Sequence, residues 1–158
     1  MKKYLFIAGV SVLALVLASC KKNEKADPLN ISEVAPPPKV PTDDEMVKEA
    51  QSKPITSLAL SENHFDFGKI KKGDVVEHKY EVSNTGDNPL IISQVKPGCG
   101  CTAPDYTKDP ILPGKKGYIT LKFDSGHFEG QVQKQAKVYA NTEKAPITIS
   151  FEAEIENK

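Results

Sequence analysis

The sequence predicts an all-β protein, a sandwich of about seven short strands carried on a Pro-rich N-terminal tether. Three observations predict it. From Pro54 onward apolar and polar residues alternate with period two, the signature of half-buried strands. Turn signals punctuate those runs at short intervals: Lys72-Gly73-Asp74, Asn84-Thr85-Gly86-Asp87, Pro113-Gly114 and Asn141 to Pro146. No segment of this part carries a helical period.

The N-terminus comes first. Lys2 and Lys3 form a short basic region, and Leu5 to Leu17 runs without a charge. A bilayer span needs about 20 apolar residues, so this run has the length of a signal-peptide core instead. Leu17-Ala18-Ser19-Cys20 follows at once. Small residues before the cut suit a cleavage enzyme at the membrane surface, and the Cys20 thiol suits alkylation by a diacylglyceryl group. The arrangement resembles the lipobox of bacterial lipoproteins. Residues 1–19 are therefore expected to be a lipoprotein signal peptide and Cys20 the lipidated first residue. Each lipid CH₂ adds about 0.8 kcal/mol of membrane affinity, so two or three acyl chains, such as palmitate, make a stable anchor. Lys21 and Lys22 follow Cys20 in place of the Asp that retains many lipoproteins at an inner membrane. The expected location is the outer membrane, facing the periplasm.

Removing residues 1–19 leaves 139 of the 158 residues, with a net charge of −2, since two lysines leave with them. Every basic residue is lysine. Bidentate phosphate and guanine recognition depends on Arg forks, so nucleic acid is not an expected partner. The Lys69–Lys72 cluster reads as a solvated turn.

Residues 20–53 read as the lipidated N-terminus and a flexible, disordered tether. Pro28, Pro36, Pro37, Pro38 and Pro41 fall there among few large apolar residues, too few to offset the entropy of ordering the chain. Thr42-Asp43-Asp44-Glu45 resembles a capping box, so a helix over about 43–52 is available, though marginal in isolation. Proteolysis is expected to release a stable fragment beginning near residue 54.

Residues 54–158 form the expected domain. Val76, His78, Tyr80 and Val82 alternate with Glu77, Lys79 and Glu81; Ile119, Leu121 and Phe123 alternate with Thr120 and Lys122; Ile147, Ile149, Phe151, Ala153 and Ile155 alternate with Thr148, Ser150, Glu152 and Glu154. Further strands are expected near 56–61, 65–70, 89–96 and 131–140. Seven short strands with regular turns read as an immunoglobulin-like β-sandwich, with a barrel as the alternative.

Cys99 and Cys101 remain after Cys20 is assigned to lipid, an even pair in a compartment that permits disulfides. In a regular strand the Cα atoms of i and i+2 lie about 6.6 Å apart, near the upper limit for a disulfide. Gly98 and Gly100 can take positive φ and shorten the gap. Three readings stand. The first is a structural turn, bonded or simply packed. The second is a soft-metal site for Cu(I) or Zn²⁺, although two sulfurs fall short of the four ligands zinc usually takes. The third is thiol–disulfide exchange, although Cys-X-X-Cys is the usual spacing for it.

Other candidates are weaker. His78 falls on the apolar face of its strand and reads as a core-edge residue, and His64 reads as exposed. Asp124-Ser125-Gly126-His127 holds triad-like residue types, but neighbours on one turn do not converge as nucleophile, base and orienter. The expectation is a non-enzymatic binding or structural module with no catalytic residue. Its partners are the membrane, through Cys20, and an envelope protein or glycan. The alternative is a metal- or thiol-handling protein that uses Cys99 and Cys101.

Phe65-Asp66-Phe67-Gly68, Gly73, Tyr80, Asn84-Thr85-Gly86, Pro89-Leu90, Cys99-Gly100-Cys101-Thr102, Pro113-Gly114 and Asn141 occur in this order. Together they resemble a bacterial family of Ig-like exported proteins catalogued as a domain of unknown function and common in lipoproteins. That family looks related to the Ig-like domains of Hydin, ASPM and major sperm proteins. The resemblance covers about residues 58–156 and implies the fold and an exported location, but no activity.

Overall fold

The structure, a computed structural model, describes residues 39–157. The expected signal peptide, Cys20 and the expected tether up to residue 38 lie outside the described residues. Eight strands form two four-stranded sheets. They are β1 (Leu58–Leu60), β2 (His64–Lys71), β3 (Val75–Asn84), β4 (Ile92–Pro97), β5 (Thr102–Tyr106), β6 (Lys116–Asp124), β7 (Gly130–Ala140) and β8 (Ile147–Glu156). One sheet has the order β1-β3-β6-β5 and the other β2-β8-β7-β4. All pairings are antiparallel except β2 with β8. The result is an Ig-like sandwich.

The period-two runs place the core. Tyr80 and Val82 on β3, Ile119, Leu121 and Phe123 on β6, and Ile149, Phe151 and Ala153 on β8 are buried between the sheets. Their polar alternates Glu81, Lys122, Glu152 and Glu154 face out, exposed. Phe151 meets Phe123 and Phe67 at 5.2 and 5.4 Å between ring centroids. The Tyr80 hydroxyl donates to the Ser150 carbonyl at 2.7 Å, a polar tie between the two sheets. A buried Tyr–OH needs such a partner.

Two expected strands are shorter than the sequence suggests, for one reason. Thr56 and Leu90, expected inside strands, make isolated bridges to Thr142 and Ile111 instead. They belong to a corner where three loops are knitted by buried amides. Asn84 Nδ2 donates to the Asn88 and Ile111 carbonyls, each at 2.8 Å, and its Oδ1 accepts from Thr56 Oγ1 and the Gly86 amide, each at 3.0 Å. Asn141 Nδ2 donates to the Pro54 and Pro89 carbonyls at 2.6 and 2.9 Å, and its Oδ1 accepts from the Ile91 amide at 2.7 Å. Loop backbone that cannot join a ladder must find partners elsewhere when buried, and two asparagines supply six, with a seventh bond to the Thr56 hydroxyl.

The eighth strand, β5, was not expected. It is short and contains Pro104, which reads as turn chemistry. Proline is tolerated on an edge strand because its missing N–H faces no neighbour, and β5 pairs only with β6.

The tether boundary at residue 53 is corrected at its described end. Asp43–Ala50 forms a helix, α1, with the expected capping box. The Glu45 amide donates to Thr42 Oγ1 at 3.3 Å, and the Thr42 amide donates to Glu45 Oε2 at 2.8 Å. The helix does not stand free. Met46 and Ala50 are buried against Tyr139 on β7. Asp43 pairs with Lys96 on β4 at 3.0 Å and with Lys137 on β7, and Gln51 Nε2 donates to the Thr142 carbonyl at 3.0 Å. Residues 39–50 thus belong to the folded unit, and the stable proteolytic fragment is expected to begin near residue 39. A helix this short is marginal alone; the apolar contact with Tyr139 supplies what its length does not.

The Asp43 contacts set a pH limit on this docking. Lys137 first, then Lys96, hold the Asp43 carboxyl well below its ordinary value of 3.8. A carboxyl depressed in the folded state stabilises at pH above its unfolded value, and that contribution is lost as pH falls through the folded one. Burial first, then Asp43, pushes Tyr139 up to about 12, so the phenol favours docking below its ordinary value of 10.0 and opposes it as pH rises toward 12. The protection of amides 43–50, their exchange rate set against the intrinsic rate at each pH, should therefore stay high from about pH 5 to about pH 9 and fall outside that window. Equal protection at pH 7 and pH 3 would mean the Asp43 pairs do not hold the helix.

Candidate functional site

The reactive pair sits where the chain changes sheets. β4 is an edge strand of one sheet and β5 an edge strand of the other, and Pro97-Gly98-Cys99-Gly100-Cys101-Thr102 carries the chain between them. Each sheet holds one side of this crossover. The Gly98 amide donates to the Gln135 carbonyl on β7 at 2.8 Å, and the Asp124 amide at the end of β6 donates to the Cys101 carbonyl at 3.2 Å. Cys99 and Cys101 are joined as a disulfide, with their Cα atoms 5.3 Å apart. That is well inside the separation of a regular strand, so the turn, rather than an extended segment, brings the sulfurs together.

The expected positive φ at Gly98 and Gly100 is not how this happens. The positive-φ glycines among the described residues are Gly68, Gly73, Gly114 and Gly130. Gly98 is needed for close approach, since a Cβ there would stand 3.2 Å from the Gln135 carbonyl oxygen. Gly100 faces open space.

Both cysteines are half-buried. The hydroxyl of Thr102, itself buried, lies 3.7 Å from Cys99 Sγ and 3.9 Å from Cys101 Sγ. Open grooves flank the pair on both sides. Cys101 lines one of about 620 Å³ with Val75, Lys122, His127 and Phe128. Cys99 lines another of about 460 Å³ with Lys134, Gln135 and Ser150.

As a disulfide the pair offers no thiolate to a soft metal. Each sulfur is bonded to the other, and metal ligation needs free thiolates. No cluster of three or more His, Cys, Asp or Glu side chains that could hold a metal forms among the described residues.

The other sequence candidates resolve into structural tasks. Ser125 is fully buried, and its Oγ lies 3.0 and 2.9 Å from the Lys71 and Asp74 carbonyls and accepts from the Gly73 amide at 3.0 Å. Asp124 Oδ1 accepts from the Gly126 amide at 2.8 Å, and His127 is exposed. These side chains lock a turn and do not converge. His78 is half-buried and stacks on Phe65 with centroids 3.5 Å apart, while its Nε2 lies 2.9 Å from Glu62 Oε1. His64 is exposed, and its Nδ1 lies 3.0 Å from Ser150 Oγ. In the basic turn Lys69 pairs with Glu156 at 2.6 Å, and Lys72 pairs with Glu129; Glu156 raises the Lys69 pKa, and Lys72 lowers that of Glu129. Asn84 and Asn141 are the polar residues whose roles the alternation pattern did not show, although both stand in the ordered set of motifs.

Comparison with known proteins agrees with this architecture. A chain from Porphyromonas gingivalis W83, described as a protein of unknown function, superposes with a TM-score of 0.56 at 21% identity over 66% of this chain. This chain covers 48% of that one, about half its length. The ASH/PapD-like domain 7 of human CEP192 matches with a TM-score of 0.51 at 11% identity, over 84% of this chain and 99% of that domain. The Vibrio cholerae VesB protease matches with a TM-score of 0.50 at 12% identity, over 72% of this chain and 34% of that one. At these identities the likeness is one of fold. No curated protein matches the sequence. Residues 58–155, from β1 to the last turn of alternation in β8, match the family described as protein of unknown function DUF1573, and the chain belongs to that family.

Proposed function

We propose that this chain is an envelope lipoprotein whose Ig-like domain acts as a non-enzymatic binding or structural module. The reading places Cys20 as the lipidated first residue and the outer membrane, facing the periplasm, as the location. One observation carries the non-enzymatic part. The side chains with catalytic reach, Ser125 and Asp124 above all, spend their polar atoms on the fold's own backbone. A site needs a nucleophile and base that converge on a free space, and these residues converge on turns. The Leu17-Ala18-Ser19-Cys20 box supports the anchor. The partner that fits an exported sandwich without catalytic groups is an envelope protein or a glycan, met by edge strands and end loops.

The test is metabolic labelling with an acyl-chain analogue in cells that make wild type or Cys20→Ala. Wild type should carry label and sediment with outer membrane. Cys20→Ala should lose the label entirely and keep residues 1–19. Label that persists in the variant would contradict the assignment of Cys20.

A further inference from the structure

We propose that the Cys99–Cys101 disulfide is an exchange site for a partner's dithiol rather than a staple of the fold. Three observations converge on it. The bridged residues are two apart in sequence, so the bond closes almost no loop. A disulfide stabilises mainly by restricting the unfolded chain, and that gain shrinks with loop size. The crossover is already fixed without it, through Gly98 to Gln135 on one sheet and Asp124 to Cys101 on the other. Both sulfurs are half-buried and line open grooves of about 460 and 620 Å³. A bond that the fold does not need, held in reach of solvent on a rigid turn, has the properties of an exchangeable one.

The reaction is two sequential displacements. A partner thiolate attacks one sulfur of the pair, forming a mixed disulfide as the Cys99–Cys101 bond breaks, and the departing sulfur leaves as a thiolate. Thr102 Oγ1 lies near both sulfurs and can donate to whichever one departs. The partner's second thiol, deprotonated, then attacks the mixed disulfide. The partner ends as a disulfide, and Cys99 and Cys101 end as two thiols that have taken up the two protons its thiols gave up. Two electrons pass from the partner dithiol to the pair, and the reverse reaction returns them. Lys122 lines one groove, together with Asp124, and Lys134 the other; lysine ammonium groups favour a thiolate, and the Asp124 carboxylate opposes it on its side.

The experiment uses the whole chain purified from membranes in detergent, with dithiothreitol as the dithiol and glutathione disulfide as the oxidant. Alkylation of free thiols is read by mass spectrometry, and the fold by near-ultraviolet circular dichroism. The pair should be reduced in native buffer within about tenfold of its rate in urea, with the fold signal unchanged, because it is reached without opening the domain. Glutathione disulfide should restore the bond, and Cys101→Ser should hold glutathione on Cys99. The double variant Cys99→Ser/Cys101→Ser should keep the wild-type urea midpoint. Native reduction slower than in urea by about a hundredfold or more would show a pair shielded by the fold. Loss of the fold signal on reduction, or a large drop in midpoint in the double variant, would show a staple. Any of these results would overturn the proposal.

Discussion

Asn84→Ala should lower stability by about 4 kcal/mol, one of the two largest single-residue losses expected in the domain. The side chain is 1% exposed and makes four hydrogen bonds at 2.8 to 3.0 Å. Removing it leaves the Asn88 carbonyl, the Gly86 amide and the Thr56 hydroxyl without these partners, while the Ile111 carbonyl keeps its bond from the Leu90 amide at 2.9 Å. Each buried group left unmade costs about 1–3 kcal/mol, and water reaching the less buried ones reduces the sum. Asn84→Asp tests geometry against charge: it keeps the acceptor side but turns two donors into acceptors facing carbonyls, so it should be no better than alanine at neutral pH. Urea melts read both. A loss under about 1 kcal/mol for Asn84→Ala would mean that the corner is hydrated and that the amide network is incidental.

Gly86→Ala should cost about 3 kcal/mol or more by a different route. A Cβ at this position would stand 2.3 Å from Thr56 Oγ1 and 2.6 Å from the Ser57 amide nitrogen. The hydroxyl could rotate away, at the expense of its bond to Asn84. The backbone nitrogen cannot, because Thr85 donates to the Ser57 carbonyl at 2.9 Å and holds the two segments together. The segment before β1 would have to shift, carrying with it the Thr56–Thr142 bridge. Because Gly86 and Asn84 share Thr56, their losses should not add: the double variant should lose less than the sum. Additive losses would place the two effects in separate parts of the corner.

These two residues show where the sequence stopped being legible. The strands that bury one face and wet the other, β3, β6 and β8, announce themselves by period two, since each position's burial is decided by its neighbour two residues on. The corner at Thr56, Asn84, Leu90, Ile111 and Asn141 has no period. Its contacts join residues up to 87 positions apart, as in Asn141 to Pro54, and nothing local marks an asparagine as buried rather than solvated. Strand β5 was hidden because Pro104 argues for a turn unless the strand is known to be an edge, and edge position is a property of topology. The capping box of α1 was legible because it is local. Its docking was not, because Tyr139 and Asp43 come together only after β4 and β7 are paired.

The cysteine pair lies between these cases. Its spacing showed that a bond was geometrically within reach, and the even count pointed the same way. That the pair sits in the crossover between two edge strands of different sheets, and that the surrounding turn is held without it, depends on the order of strands in each sheet. The surroundings of the pair are therefore visible only once the fold is assembled. The residues that carry the family resemblance divide accordingly. Gly68, Gly73, Tyr80, Asn84, Gly86, Gly114 and Asn141 have tasks inside the fold, in turns, close approaches and buried hydrogen bonds. Cys99 and Cys101 are the members of that set whose reactive atoms open onto grooves.

A lipid at Cys20 is proposed to hold a non-enzymatic module at the envelope. The most direct measurement is the mass of the N-terminal peptide of the protein isolated from cells, read by mass spectrometry after extraction from the outer-membrane fraction. The expected peptide begins at Cys20, lacks residues 1–19, and carries a diacylglyceryl group with or without a third acyl chain on its amino group. A peptide that begins elsewhere, or an unmodified Cys20 in a chain recovered from the soluble fraction, would contradict it.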